Sequence, residues 1–152
     1  MKGEPAVFVE TAARLHFGVL DLRGDRGRWF GGVGASAPSP TLLVSASLAP
    51  AATVAGEHAD RAAAFAHAFL AYHRLGGGAR VVVHRALPAH AGLGSGTQLA
   101  LAIGRALAEL HGVATTPVGL AMAVGRAQRS AIGTWTFAGG GLVVEGGRRA
   151  DR

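Results

Sequence analysis

The stretch that decides the fold is "LPAHAGLGSGTQLALAIG", residues 87–104. The run "ARVVVHRAL" at 79–87 leads into it and predicts a strand, because it is rich in β-branched residues. The apolar run at 95–112 predicts a helix that Ser95 caps and Gly112 ends. The connection between them is rich in glycine, so its backbone is free to approach another group closely. The stretch therefore predicts a strand, a close-approaching loop and a helix in succession.

This loop has the composition of an anion site. A helix N-terminus carries unpaired N–H groups and roughly half a positive charge, so it attracts anions. Glycines remove the side chains that would block approach, and hydroxyl groups add hydrogen-bond donors. The predicted cradle for phosphate or pyrophosphate consists of Gly92, Leu93, Gly94, Ser95, Gly96 and Thr97. The alternative is a structural turn with a serine cap. The spacing matches neither a Walker loop nor a dinucleotide fingerprint.

The rest of the chain predicts one α+β domain. Strands are expected at 6–15, 41–48 and 137–147, and helices at 56–78 and 117–127. Residues 23–48 look like hairpin material with a turn at Gly24, Asp25 and Gly27. This order predicts a two-layer sandwich in which helices cover one face of a mainly antiparallel sheet.

Composition limits the function classes. The chain has 152 residues, of which 49% are hydrophobic, and no cysteine, so disulfide scaffolds, thiolate zinc sites and cysteine nucleophiles are excluded. The net charge is +6 and almost all basic residues are arginine, which pairs bidentately with phosphate and carboxylate. Compositional drift would also explain many of these arginines. Basic residues form no long run, so nucleic acid is not the expected partner. We expect a cytoplasmic protein without a membrane span, since no signal peptide or long apolar segment is present.

Four segments of the chain resemble one enzyme family. "PAHAGLGSGTQLALAIGRAL", residues 88–107, resembles the phosphate-binding motif Pro-x-x-x-Gly-Leu-Gly-Ser-Ser of the GHMP kinase superfamily, with Gly96 in the last position. Gly96 followed by Thr97-Gln98 is similar to the β-ribofuranosylaminobenzene 5'-phosphate synthase branch. The segments "ARLHFGVLDL" (13–22), "GRWFGGVGAS" (27–36) and "RAQRSAIGTWTFAGGGLVVEGG" (126–147) also resemble that branch. Residues 1–152 then correspond to its N-terminal, phosphate-loop domain, without the C-terminal domain.

The resemblance implies a reaction rather than a kinase activity. Members of this branch join 5-phosphoribosyl diphosphate to 4-aminobenzoate or 4-hydroxybenzoate and release CO2 and pyrophosphate, in tetrahydromethanopterin biosynthesis. Mg²⁺ is expected alongside the diphosphate. A homo-oligomer, or a hetero-partner that supplies the missing C-terminal half, is expected too. The alternatives are a non-catalytic phosphate-binding or assembly module, and a small-molecule kinase of the same superfamily, which Gly96 disfavours.

The resemblance also suggests substrate-binding residues, although it assigns no catalytic residue. Arg14 and His16 lie in the N-terminal signature, where the alternative for the arginine is a surface salt bridge. His90 lies within the glycine-rich loop, where it would contact substrate.

Four further residues carry expectations of their own. Arg129 and Ser130 would meet a phosphate or carboxylate, and the alternative is a solvated surface arginine. Asp21 is a candidate for a Mg²⁺ ligand, and the alternative is an aspartate that forms the turn before Arg23. Gln98, one turn into the helix, is expected to matter much less for binding than Gly94.

Overall fold

A computed structural model of the protein describes residues 6–151. Its strands are β1 (Ala6–Asp21), β2 (Arg28–Ala49), β3 (Thr53–Gly56), β4 (Gly78–Arg85), β5 (Leu142–Glu145) and β6 (Arg148–Arg149). Its helices are α1 (Ala59–Tyr72), α2 (Ser95–Leu110), α3 (Pro117–Ala123) and α4 (Ile132–Gly139).

The sheet is built on the long hairpin of β1 and β2. These strands pair antiparallel from Ala6 opposite Ser47 to Asp21 opposite Phe30. The order across the sheet is β1-β2-β4-β3, and β5 and β6 pair with the first half of β2. Only the pairing of β3 with β4 is parallel among the described strands. The mainly antiparallel sheet predicted from the sequence is confirmed.

The helices cover one face of this sheet. Thr11 and Ala13 of β1 are buried beneath them, whereas Phe8 and Glu10 on the other face are exposed. Helix α2 lies at the centre of the core, and its residues from Gln98 to Gly104 are all buried. A Cβ on Gly104 would lie 2.9 Å from Leu120 of α3, so the glycine lets the two helices pack closely. The predicted α+β sandwich is confirmed.

The strands extend beyond the predicted limits. β1 continues past residue 15 to Asp21, and the predicted hairpin material at 23–48 is mostly one strand, β2. Glycines in the first half of β2 favour a loop by propensity. In the fold they are required, because a Cβ on Gly34 would collide with Ile132 of α4 and with the Leu15 carbonyl. Close packing therefore overrides local propensity here.

The last third of the chain differs most from the sequence prediction. The strand predicted at 137–147 is only Leu142–Glu145, and helix α4 precedes it. The residues "IGTWTFAG" of α4 are β-branched and aromatic, which favours a strand locally, but Ile132 is fully buried against the sheet. Helix α3 ends at Ala123 rather than 127, and α1 is shorter than predicted at both ends. Strand β3 was not predicted. No helix within residues 6–151 is long and apolar enough to cross a bilayer.

Candidate anion-binding cleft

The glycine-rich loop runs from the end of β4 to the start of α2. Gly92 and Gly94 have φ angles of 73° and 70°, in the left-handed region where glycine is favoured. Gly94 is the N-cap residue of α2, and no side chain of residues 6–151 caps this helix. The predicted cap at Ser95 is therefore wrong: Ser95 is the first helical residue, and it lines the cleft in front of the loop. The helix thus starts from the left-handed backbone conformation of Gly94 and not from a hydroxyl cap.

The six predicted cradle residues, Gly92 to Thr97, all line one open cleft with a volume of about 280 Å³. His90 lines it too, with its backbone at a φ of 58°. The structure therefore brings His90 and the cradle together, as the sequence predicted.

Arg14 ties the loop to the sheet. Its backbone N–H donates to the Leu93 carbonyl at 2.9 Å. Its side chain reaches the loop as well, because a Cβ on Gly94 would lie 2.9 Å from Arg14 Nε. Arg14 thus forms part of the wall of the cleft. It takes no part in the salt bridges of the described residues.

Two other arginines complete the cationic wall. Arg61, in the first turn of α1, and Arg126, after α3, both line the cleft. A Cβ on Gly96 would lie 2.6 Å from Arg61 Nη2 and 3.5 Å from Arg126 Nη2. The Arg126 guanidinium also lies over the Phe65 ring, with Cζ 4.8 Å from its centroid. Sequence reasoning missed both residues as ligand-binding groups. Arg126 begins the segment that resembles the synthase branch, whereas nothing local marks Arg61.

The charges of this wall are not compensated by the described residues. The ion pairs formed within residues 6–151 involve other arginines, namely Arg85, Arg105 and Arg149. Arg14 Nε and Arg126 Nε are buried without a hydrogen-bond acceptor in the described part of the chain. Burial lowers the pKa of Arg14, and burial followed by repulsion from Arg61 lowers the pKa of Arg126. A bound anion would relieve both penalties, because it supplies negative charge and acceptor oxygens.

A second cleft, of about 360 Å³, adjoins the first. Its lining is Thr97 and the segment 125–130, so the two clefts share Thr97 and Arg126. Arg129 lines this second cleft. Ser130 lines it too, but its hydroxyl is engaged: it donates to Glu145 at 3.2 Å and accepts from the Ile132 N–H at 3.2 Å. Ser130 therefore helps to fix the start of α4, and its neighbour Arg129 remains the side chain suited to an anion.

His16 and Asp21 do not line the first cleft. His16 lies on the helix-covered side of β1, where its buried Nε2 has no partner among the described residues. The carboxylate of Asp21 accepts backbone N–H bonds from Arg23, Gly24 and Arg26 at 2.8, 2.9 and 3.1 Å. Asp21 lies seven residues along β1 from Arg14, roughly 20 Å away at the usual rise of a strand. The structure thus supports the turn-forming alternative and places the Asp21 side chain outside the lining of the first cleft.

Magnesium does not fit the cleft as the described residues build it. Mg²⁺ is usually held by one or two carboxylates together with substrate phosphates and waters, and among residues 6–151 neither Asp nor Glu lines either cleft. Residues 6–151 contain no cluster of three His, Asp or Glu side chains that would hold a metal ion. The hydroxyls of Ser95 and Thr97 are the hard side-chain oxygens in the first cleft, and three guanidinium groups accompany them.

Gln98, which is expected to matter less for binding than Gly94, has a structural role. It is only 1% exposed. Its Oε1 accepts from the Thr11 hydroxyl at 3.0 Å, and its Nε2 donates to the Gly133 carbonyl at 3.0 Å. Gln98 thus joins β1, α2 and α4 immediately behind the cradle. A buried amide with two partners is a structural residue, and its position one turn into an amphipathic helix could have indicated this.

Comparison with known proteins places this geometry in a family. Residues 57–140 match the family model described as "GHMP kinases N terminal domain". The chain is 39% identical over 139 residues to beta-ribofuranosylphenol 5'-phosphate synthase of Archaeoglobus fulgidus, covering 91% of this chain and 44% of that protein. It is 37% identical over 151 residues to the Methanothermobacter thermautotrophicus protein of the same name, covering 93% and 46%. The chain spans less than half the length of these curated relatives.

Solved structures show the same fold at low identity. The L. major mevalonate kinase, solved in complex with R-mevalonate, superposes with a TM-score of 0.71 at 16% identity, covering 96% of this chain and 52% of that one. The mevalonate kinase of Methanococcus jannaschii superposes with a TM-score of 0.67 at 12% identity, covering 93% and 53%. At these identities the likeness concerns the fold alone. From the family match, the chain belongs to the GHMP kinase N-terminal domain family, and the resemblance to the β-ribofuranosylaminobenzene (or phenol) 5'-phosphate synthase branch is confirmed.

Proposed function

We propose that this chain is the diphosphate-binding half of a β-ribofuranosylaminobenzene (or phenol) 5'-phosphate synthase. The reaction would condense 5-phosphoribosyl diphosphate with 4-aminobenzoate or 4-hydroxybenzoate and release CO2 and pyrophosphate, in tetrahydromethanopterin biosynthesis. The observation that carries the proposal is the convergence of Arg14, Arg61 and Arg126 on the backbone of Gly94 and Gly96. The names of the curated relatives support it.

The arginine wall suits the departure of pyrophosphate. In the proposed reaction, the ring carbon that bears the carboxylate attacks C1 of the ribose, and pyrophosphate leaves with the electron pair of the C1–O bond. The bond to the carboxylate then breaks, CO2 leaves, and the electron pair restores the aromatic ring. Guanidinium groups already in place stabilise the negative charge that grows on the leaving group. Binding and leaving-group stabilisation would be the contribution of this half.

The second cleft is the proposed place for the carboxylate of the aromatic acid. It adjoins the first, and Arg129 lines it. Arg126 lies between the two clefts, so one guanidinium would contact both substrates. This arrangement would bring the ring near C1 of the ribose without a long reach.

A small-molecule kinase fits the cleft less well. Phosphoryl transfer to a hydroxyl group uses a residue that accepts its proton, commonly an aspartate, and no carboxylate of residues 6–151 lines either cleft. The non-catalytic alternative, a phosphate-binding or assembly module, would use the same arginine-lined cleft without the condensation.

Two measurements test the proposal. Calorimetric titration with pyrophosphate, 5-phosphoribosyl diphosphate and ATP, in buffer containing Mg²⁺, should show tighter binding of the first two ligands than of ATP. Tight ATP binding without a response to pyrophosphate would support the kinase instead. Release of labelled CO2 from carboxyl-labelled 4-hydroxybenzoate, with and without the C-terminal half of a relative, then separates catalysis from binding alone.

A further inference from the structure

The charged side chains that line the first cleft are all positive. Arg14, Arg61, Arg126 and His90 are the ionisable residues that line it within residues 6–151, and neither Asp nor Glu of that range is among the lining residues. Two of the guanidinium groups are close to each other, because Arg61 and Arg126 both approach the same face of Gly96. Their mutual repulsion contributes to the lowered pKa of Arg126. A cation entering this cleft by itself would be repelled by the same groups.

The unsatisfied groups of the wall are all donors. Arg14 Nε and Arg126 Nε are buried and lack acceptors within residues 6–151. A pyrophosphate ion carries several charged oxygens, and a guanidinium binds two of them at once. A magnesium ion normally neutralises the charged oxygens of a diphosphate. In this cleft the arginine side chains offer the positive charge for those oxygens instead.

We infer that the glycine-loop cleft binds diphosphate as the free anion, with Arg14, Arg61 and Arg126 in the place of a divalent cation. This inference rests on the proposed function and narrows it: magnesium is not needed to hold the diphosphate on this domain. Free pyrophosphate, with its full charge, is then the better ligand, because complexed Mg²⁺ reduces the charge that the arginines recognise.

Calorimetry with inorganic pyrophosphate tests the inference, with one titration in excess EDTA and one in excess Mg²⁺. We expect affinity in EDTA to equal or exceed that in Mg²⁺. Binding that occurs only with Mg²⁺ would overturn the inference and leave the proposed function standing. Absence of binding in both buffers would overturn both.

An arginine variant checks that the cleft is the place of binding. Arg61→Gln should weaken metal-free binding by about tenfold or more, since it removes a charged hydrogen-bond donor. Arg105→Gln is the matched control: Arg105 lies on α2, pairs with Glu109 at 3.2 Å and is outside the cleft. Melting curves confirm that both variants fold. Equal metal-free affinity of folded Arg61→Gln and wild type would contradict the inference.

Discussion

A Cβ on Gly94 would lie 2.9 Å from Arg14 Nε and 3.2 Å from Arg14 Cζ, so this arginine occupies the place of the missing side chain. The contact joins two segments that are far apart in the chain: the β1 strand and the N-terminus of α2. It also shows that glycine is required at position 94 for two reasons. The residue must leave room for the guanidinium, and it must adopt a φ of 70°.

Gly94→Val should abolish pyrophosphate binding. The valine side chain would displace Arg14 from the wall and obstruct the approach to the loop. It would also cost about 1 kcal/mol or more of stability at a positive φ. Calorimetry on the folded variant measures the affinity, and a melting curve measures the stability.

Gly112→Val is the strain-matched control for this variant. Gly112 has a φ of 66° and lies at the other end of α2, and in the described part of the chain no neighbouring atom lies within 4 Å of the position of its Cβ. It should lose similar stability and keep its affinity. Unchanged affinity in folded Gly94→Val would mean that the loop is a structural turn and not a phosphate cradle.

Gln98→Ala should destabilise the fold by about 2–4 kcal/mol, because it leaves the Thr11 hydroxyl unpaired, removes a hydrogen bond to the Gly133 carbonyl and opens a cavity. Chemical denaturation measures the loss of unfolding free energy. The double variant Thr11→Val with Gln98→Leu should recover part of it, since it removes one unpaired group and refills the space. If Gln98→Ala were as stable as wild type, this network would not be structural.

The candidate site was predictable where its signals are local. The run from β4 through Gly92 to Thr97 and into α2 shows its turn residues and helix periodicity within one short segment. Arg61 was not predictable, because its position in the cleft depends on how α1 packs beside α2. In the same way, Gln98 reads as an ordinary helix residue until Thr11 and Gly133 are known to lie against it.

The fold followed a similar division. An α+β sandwich was predictable from the order of elements, but α4 was not, because Thr134 and Trp135 have strand propensity. Burial of Ile132 against Gly34 outweighs that propensity in the folded chain. Strand β3 is short, and its parallel pairing with β4 is a tertiary contact without a sequence pattern of its own.

Asp21→Asn should lower the melting temperature near neutral pH and have no effect in strong acid. Three backbone N–H bonds, those from Arg26 and Arg23 most strongly, hold the pKa of Asp21 below its ordinary value of 3.8. A depressed pKa means that the ionised carboxylate stabilises the folded state above 3.8, and that this stability is lost as the pH falls through the folded-state pKa.

Melting curves of wild type and Asp21→Asn across acid and neutral pH measure this difference. Mg²⁺ provides a second check, because Asp21 is committed to the turn. Added Mg²⁺ should shift the melting temperatures of the two proteins equally. A shift in wild type that is absent in Asp21→Asn would restore Asp21 as a metal ligand.

The helix-free face of the sheet should mediate association with a second copy or with a separate C-terminal half. Leu15 pairs with Ala35, which pairs with Leu142 on its other side, so the three side chains lie on one face. Leu142 and Val144 are each 69% exposed, and apolar patches beyond about 300–600 Å² usually mark an interface.

Sedimentation velocity at rising concentration should show self-association, and Leu142→Glu with Val144→Glu should reverse it. Leu48→Glu, at the far end of β2, is the control and should behave like wild type. A wild-type protein that stays monomeric at high concentration, and that does not bind an added C-terminal half of a relative, would rule out this face as an interface.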